Sequence, residues 1–299
     1  MYKIIQKRKY WYILSAIIIV PCLVAIFMGG LKLGIDFTGG SLIRVNFSEN
    51  RPAIEELRNS LAEMNDLGDL QIQPYGTDEY TIRLKNIDNE KYQEVLAKIK
   101  DSYSDAEERS FESIGPTIGQ ELKDKAILAT ILVLIFIVVY ISIAFRKSGS
   151  TSVKSWVFGL GTLAALFHDI LIVVGVFAIL GLFRGVEIDI LFITALLTVL
   201  GFSVHDTIVV YDRVRERLKL SQSKSYEEII NESVNQTLIR SVNTSLTTLL
   251  VLVSLYFFGG ESIKWFVFAL IIGIIAGTYS SVFIASPFLA TWHKLTNKK

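Results

Sequence analysis

The feature that most constrains the fold of this chain is a set of six apolar runs. Each run is long enough to cross the hydrocarbon core of a bilayer, which takes about 20 helical residues. The runs cover residues 12–28, 126–145, 157–182, 188–211, 241–258 and 265–289. A hydrophobic content of 51% over 299 residues and a mean hydropathy of +0.45 exclude a soluble globule. The sequence therefore predicts a polytopic α-helical membrane protein with six transmembrane helices.

The positions of Lys and Arg predict the orientation of these spans. Cytoplasmic loops carry an excess of Lys and Arg, so the placement of these residues decides topology and the net charge of +1 does not. Basic residues gather at both ends of the chain and in two loops: Lys3, Lys7, Arg8 and Lys9; Arg146, Lys147 and Lys154; residues 213–224; Lys294, Lys298 and Lys299. The opposite loops contain Arg184 and Lys264 as their cations. Both termini are therefore expected in the cytoplasm, with residues 31–124 outside it.

The first apolar run follows a basic start, as in a secretory signal peptide. The run is too long for a cleaved signal and no small-residue cleavage site follows it, so we interpret it as a retained signal anchor. Cys22, the one cysteine of the chain, lies within this run. No disulfide can form within the chain, and any extracytoplasmic domain must be held together by packing.

The polar stretch 31–124 is predicted to form a small extracytoplasmic domain. Alternating apolar residues predict strands near residues 43–47 and 80–84, and weaker patterns predict two more at 70–73 and 109–113. Helical spacing predicts helices after Pro52 and Asp88. The resulting order β-α-β-β-α-β is that of a ferredoxin-like α+β domain. The next segment, SIGPTIGQ (113–120), contains two glycines and a proline and is interpreted as a simple loop into the second span.

The chain is therefore expected to divide into three parts. Residues 1–30 form the cytoplasmic N-terminus and the first span, residues 31–124 the outer domain, and residues 125–299 the other five spans. The last part includes a cytoplasmic amphipathic segment at 219–238, in which Ser225 and Glu228 fit a capping box. We expect this segment to pack on the membrane surface and to lead into the fifth span.

A carboxylate in the fourth span is the strongest functional signal. Asp206 lies about 9 Å inside the polar boundary at Asp212 if the chain is helical there, and burying its charge in a bilayer costs a few kcal/mol or more. The fifth span begins at Arg240, and antiparallel neighbouring spans place the two side chains at similar depth. An ion pair would keep the acid ionised, and separation would favour proton uptake. The pair therefore predicts a proton relay, with a buried pair that only fixes helix register as the alternative.

Other polar residues of the spans either extend this relay or only pack the helices. They are His168 and Asp169 in the third span, Ser203, His205 and Thr207 in the fourth, and Thr244 in the fifth. The two intramembrane histidines do not make a metal site by themselves. No nucleophile–base pair occurs at a convincing spacing, so neither an enzyme nor a cofactor is expected. Gly273 and Gly277 fit a GxxxG pattern, whose natural interpretation is close helix packing.

Six motifs resemble those of the SecF family of bacterial protein-export subunits, within the resistance-nodulation-division superfamily. They are GIDFTGG (34–40), SIGPTIG (113–119), FHDI (167–170), GFSVHDTIVVYDRVRER (201–217), IRSVNTSLTTLL (239–250) and SVFIASPF (281–288). They cover essentially the whole chain and occur in the corresponding spans. By resemblance, Asp206 and Arg240 are the proton-responsive acid and its partner. His205 stands where the family usually has asparagine.

The resemblance also implies the partners and the location of the chain. A SecD subunit would supply six similar spans, and the two together would use the proton-motive force to draw unfolded preproteins from the SecYEG channel after SecA has pushed them in. The expected location is the bacterial cytoplasmic membrane, in contact with lipid and without nucleic acid. Polar faces on spans three to five also predict a second membrane subunit, because six helices do not hide them without cost.

Two other functions stay open at this point. One is half of a proton-coupled efflux transporter of the same superfamily, although the outer stretch is shorter than the porter domains such a pump needs. The other is a purely structural translocon subunit, which would tolerate substitution of its polar membrane residues.

Overall fold

A computed structural model of the chain describes residues 1–48, 51–68, 70–145, 154–220 and 223–296. The predicted basic residues Arg146, Lys147, Lys298 and Lys299 lie outside this description, as does Gln222. The chain divides into two compact units: one comprises Met1–Leu31, Leu128–Val186 and Leu191–Lys299, and the other Lys32–Ile127 and Glu187–Ile190.

The elements follow one another along both units. The helices are α1 (Arg8–Phe27), α2 (Ile35–Thr38), α3 (Ile54–Ala62), α4 (Asn89–Ser102), α5 (Pro116–Ala144), α6 (Ser155–Arg184), α7 (Ile190–Leu220), α8 (Tyr226–Phe258), α9 (Glu261–Ser280) and α10 (Ser286–Thr296), with a π-helical turn at Ser281–Ala285 between the last two. The strands are β1 (Lys32–Leu33), β2 (Gly40–Phe47), β3 (Gln71–Tyr75), β4 (Glu79–Leu84), β5 (Ala106–Ile114) and β6 (Glu187–Ile188).

The first unit contains the predicted membrane spans. Within the described residues, six helical stretches are long and apolar enough to cross a membrane. They are α1, α5, α6, α7, α8 and the continuous run from α9 through the π-helical turn to α10. The predicted fold class is confirmed. Most of these helices extend beyond the apolar runs, because charged and capped turns continue the helix after the hydrophobic residues end.

The amphipathic segment differs from its expected arrangement. Its helical part is the start of α8, which continues unbroken to Phe258. The predicted capping box is confirmed, because the Ser225 hydroxyl accepts from the Glu228 amide and the Glu228 carboxylate accepts from the Ser225 amide. The apolar side of this helix is not left for the membrane surface. It is buried in the core of the first unit, where Ile230 and Val234 join Ile4 and Ile5 from the N-terminal segment.

The second unit is the predicted ferredoxin-like domain. Its four-stranded sheet has the order β3-β4-β2-β5, and every neighbouring pair is antiparallel. The helices α3 and α4 supply Leu57, Leu61, Val95 and Ile99 to a core that also contains the inward residues of β2 and β4. Strand β5 starts three residues before its predicted beginning. Pairing along the whole of β2 extends it where its own side chains do not alternate clearly.

The interpretation of SIGPTIGQ as a loop is wrong. Its first two residues end β5, and α5 begins at Pro116, a residue that suits the first helical position because it lacks an amide hydrogen. The segment also touches the GIDFTGG motif. Gly39 has φ +71°, and a Cβ there would lie 2.7 Å from the Pro116 Cα, whereas one on Gly119 would lie 2.8 Å from the Gly39 nitrogen. The glycines of the two motifs therefore permit a backbone-to-backbone contact.

The second unit also contains a short parallel ladder, which includes residues Glu187–Ile188 from the segment after α6. Strands β1 and β6 pair, and the Arg83 guanidinium lies 2.5 Å from the Glu187 carboxylate. The Ile190 amide, at the start of α7, donates to the Asp36 carboxylate at 2.8 Å. Burial raises the pKa of Glu187, and the adjacent Arg83 opposes that shift.

Candidate functional site

Asp206 lies in the middle of α7 and is 7% exposed. Each of its carboxylate oxygens accepts one serine hydroxyl. Ser241 of α8 donates to Oδ1 at 2.5 Å, and Ser281, the first residue of the π-helical turn, donates to Oδ2 at 2.5 Å. Three helical segments thus converge on one intramembrane acid.

Arg240 is not part of this arrangement. Among the ion pairs formed by described residues, none joins Arg240 to Asp206. Arg240 is exposed and lines an open cleft of about 270 Å³ together with Tyr140, Asp212 and Arg215. Neighbouring residues of an α-helix point about 100° apart. The face of α8 that offers Ser241 to Asp206 therefore turns Arg240 away from it.

Asp169 is a second buried acid and has no exposed surface. Its Oδ2 accepts hydroxyl groups from Ser203 of α7 at 2.6 Å and Ser280 of α9 at 2.8 Å. Its Oδ1 lies 3.0 Å from Nδ1 of His168. The structure therefore brings together three of the predicted residues, Asp169, His168 and Ser203.

Among the described residues, no side-chain hydrogen bond joins His205, Thr207 or Thr244 to either acid. His205 is exposed on α7. Thr207 is buried, and its hydroxyl donates to the Ser203 carbonyl at 3.1 Å. Thr244 is exposed and donates to the Arg240 carbonyl at 3.0 Å. Both threonines bond to the backbone of their own helix, which satisfies the hydroxyl without assigning it a role in the site.

Of the serines that donate to the two acids, Ser203 was predicted from the sequence, whereas Ser241, Ser280 and Ser281 were not. Ser280 and Ser281 have no unusual spacing, and serine is common in membrane spans. One signal was available, because Ser281 begins the motif SVFIASPF. The first five residues of that motif form the π-helical turn, and the hydroxyl of the next residue, Ser286, donates to the Ser281 carbonyl at 2.9 Å. Such turns are frequent at functional sites.

Close packing of α9 against α7 fixes the position of these serines. A Cβ on Gly277 would lie 2.9 Å from the Ser203 Cβ, and one on Gly273 would collide with the Val199 side chain. Two glycines one turn apart therefore allow α9 to approach the helix that carries Asp206. The interpretation of the GxxxG pattern as close packing is confirmed.

Comparisons with known proteins assign the family. The family model for the C-terminal part of the SecD/SecF protein export membrane proteins matches residues 94–295, and that for the SecD/SecF GG motif matches residues 24–50. The protein translocase subunit SecF of Thermobaculum terrenum is 44% identical, with 98% of this chain and 94% of that protein aligned. The chain belongs to the SecF family. SecF of Haemophilus influenzae is 38% identical over 94% of this chain and 82% of that protein.

The structural comparison agrees with the SecF family. The crystal structure of SecDF, a translocon-associated membrane protein from Thermus thermophilus, superposes with a TM-score of 0.85 at 33% identity. It covers 98% of this chain, and this chain spans 39% of that one. A SecDF crystal structure in a super-membrane-facing form gives a TM-score of 0.70, also at 33% identity, over 99% of this chain.

The chemistry open to this site is proton binding. Hydroxyl groups can donate to a carboxylate or accept from a protonated acid, so either state of Asp206 can be fully hydrogen-bonded. Within the described residues, no group of three or more His, Cys, Asp or Glu side chains could hold a metal ion.

Proposed function

We propose that this chain is a SecF subunit of the protein translocase that works with a SecD-type subunit and couples the proton-motive force to preprotein translocation across the bacterial cytoplasmic membrane. The observation that carries the proposal is Asp206, an acid buried in a membrane span and held by Ser241 and Ser281 hydroxyls. The SecF relatives and the SecDF match support it.

The environment of Asp206 favours a change of protonation. An ionised carboxylate in a membrane span is costly without a cation or several donors, and two hydroxyls compensate that cost only in part. Proton uptake removes the charge, and the same hydroxyls then accept or redirect their hydrogen bonds. A change in the groups that contact Asp206 therefore changes the relative free energies of its ionised and protonated states.

Arg240 is the partner that we propose for the ionised state. It directly precedes Ser241, the residue of α8 that now donates to Asp206. One residue step of an α-helix corresponds to a rotation of about 100°. A rotation of α8 through part of that step would bring the Arg240 guanidinium toward Asp206 and take Ser241 away. Arg240 would then hold Asp206 ionised, and its withdrawal would favour proton uptake.

The proposed SecD-type partner covers a polar stripe on α8. Arg240, Asn243, Thr244 and Thr247 are all exposed, and their spacing of three and four residues places them on one helix face. On α7, His205 is also exposed. Lipid chains offer no hydrogen-bond partner to the Arg240 guanidinium or the Asn243 amide, so a protein surface is the expected neighbour of the stripe. This chain spans 39% of the SecDF chain, so the rest of that longer chain is large enough to include such a partner.

The wider assembly follows from the same proposal. Both termini lie in the cytoplasm, and the domain with the β3-β4-β2-β5 sheet lies outside. Preproteins arrive unfolded from the SecYEG channel after SecA has acted, and the chain acts without a cofactor or an enzymatic step. Asp169 and His168, with Ser203, are assigned to the same polar interior of the spans.

The test is preprotein translocation in inverted membrane vesicles, with and without a proton gradient. Vesicles depleted of this chain should lose the gradient-stimulated part of translocation and keep the ATP-driven part, and adding the chain back should restore the loss. If depletion of the chain lowers translocation by the same amount after a protonophore has collapsed the gradient, the chain is a purely structural subunit. Gradient-driven extrusion of small organic cations, with translocation unchanged, would indicate an efflux transporter.

A further inference from the structure

We propose that Asp169 and His168 form a second protonation site, coupled to Asp206 through the adjacent serines Ser280 and Ser281. The inference rests on the proposed function, because it adds a second proton-holding group to the same intramembrane site. It assigns a role to the acid of α6, which the Asp206–Arg240 relay does not use.

The surroundings of Asp169 contain few charges. Ion pairs of the described residues include one contact to Asp169, that of His168, which is itself only 4% exposed. From α9, the Tyr279 ring stacks on the imidazole at 5.6 Å, and its hydroxyl donates to the Trp11 carbonyl of α1. On α7, Asp206 accepts from Ser281, the residue that follows the Ser280 that donates to Asp169. No Lys or Arg is therefore paired with the acid within the described chain.

The pair is built to hold one proton. Oδ2 of Asp169 already accepts from Ser203 and Ser280, so a proton on the acid belongs on Oδ1, which faces Nδ1 of His168 at 3.0 Å. When Nε2 of His168 carries its hydrogen, one further proton between Oδ1 and Nδ1 leaves the pair without net charge, whichever residue carries it. This arrangement avoids the cost of burying an isolated carboxylate.

His168 also has an unused position. Its Nε2 is buried and has no hydrogen-bond partner. A buried polar nitrogen without a partner costs free energy and is rare in folded proteins. Here it provides a second ring nitrogen at which the pair can gain or lose a proton, while Nδ1 stays in contact with the acid.

Ser280 and Ser281 each have two acceptors within reach. The Ser280 hydroxyl lies 2.8 Å from Oδ2 of Asp169 and 3.2 Å from the Gly277 carbonyl. The Ser281 hydroxyl lies 2.5 Å from Oδ2 of Asp206 and 3.0 Å from the Thr278 carbonyl. A hydroxyl has a single hydrogen. Each serine can therefore donate to its acid or to its own helix, and it loses no hydrogen bond when the acid takes up a proton.

These two serines couple the acids because they are consecutive in the chain. Rotation or displacement of the backbone at this point moves both hydroxyls together. The π-helical turn begins at Ser281, and a π turn has a different backbone hydrogen-bond register from the α-helix before it. A change of partner at Asp206 is thereby transmitted to Asp169 through one peptide unit.

The alternative is that Asp169 only holds α6 against α7 and α9. In that case its protonation would not change over the working pH range, and Asp206 would titrate independently of it. A readout of protonation separates the two possibilities, whereas a loss of stability or of translocation does not.

The experiment is infrared spectroscopy of the assembled complex in native lipid, following the carbonyl stretch of protonated carboxyl groups from about pH 4 to pH 9. We expect one titrating band that Asp206→Asn removes and a second that Asp169→Asn removes. Asp169→Asn and Ser281→Ala should each move the midpoint of the Asp206 band by about one pH unit. The control is Ser233→Ala, because the buried Ser233 hydroxyl bonds, among the described residues, only to the Ile229 carbonyl.

The outcomes separate this inference from the proposed function. If the Asp206 band titrates while Asp169→Asn removes no band or leaves the Asp206 midpoint in place, the second site is overturned and the proposed function stands. If no band depends on Asp206, the proposed function fails as well. Should Asp169→Asn not assemble, Ser280→Ala decides the question, because it keeps both acids and should still shift the two midpoints.

Discussion

Arg240 lies beside Ser241 on α8 and lines a cleft with Asp212 and Arg215. If it is the alternate partner of Asp206, Arg240→Met should assemble normally and lose gradient-driven translocation, since nothing then returns the acid to its ionised form. Arg240→Lys should be tolerated only in part, because an ammonium lacks the planar fork of the guanidinium. The measurement is translocation per assembled complex. Full activity of Arg240→Met would remove Arg240 from the relay.

At the scale of single residues, the sequence predicted Asp206 but not the side chains that bond to it. Asp206 could be found because a carboxylate in an apolar run is costly wherever the helix packs. Its actual partners, Ser241 and Ser281, could not be found, because a linear pattern does not show which face of α8 turns toward α7. Asp169 was found beside His168 for the same reason as Asp206, but Ser280 was not.

At the scale of elements, the contact between α7 and α9 positions the site. A Cβ on Gly277 would lie 2.9 Å from that of Ser203, so Gly277→Ala forces the helices apart and should lower the free energy of unfolding by about 1–3 kcal/mol. A Cβ on Gly201 of α7 would meet nothing within 4 Å. Gly201→Ala should therefore not destabilise the chain by itself. Thermal unfolding of the two variants in detergent is the measurement, and equal stability would contradict the packing.

Elements with strong periodicity or long apolar runs were predictable, and elements that depend on a neighbour were not. The six spans and β4 follow from their own residues. Strand β5 follows from pairing with β2, and the start of α5 depends on Pro116 and on the backbone contact with Gly39. The apolar side of α8 was assigned to the membrane surface, because no pattern in the sequence shows that the N-terminal segment covers it.

At the scale of the whole molecule, the exposed polar stripe on α8 predicts that the chain does not work alone. Solubilised in mild detergent from its own membrane, it should run as a complex with a second six-span protein. Substituting Asn243 and Thr247, which lie on the stripe, by leucine should weaken that complex. Recovery of a stable and active lone chain would contradict the prediction.

The orientation of the whole molecule gives a separate prediction. A reporter inserted between Glu63 and Gly68 should be active only outside the cytoplasm, and one inserted at Ser223 or Lys224 only inside it. Both follow from the placement of Lys and Arg in the loops. Exchange of the two results would overturn the orientation and, with it, the side of the membrane from which Asp206 is reached.

The central claim, that Asp206 exchanges a proton during translocation, is tested most directly by Asp206→Asn. An amide has nearly the same shape and costs less to bury than a carboxylate, so assembly should be preserved. We expect gradient-dependent translocation, measured per assembled complex, to fall to the level of membranes that lack the chain, with Ser233→Ala unchanged. Normal gradient-dependent translocation by Asp206→Asn on that scale would contradict the account.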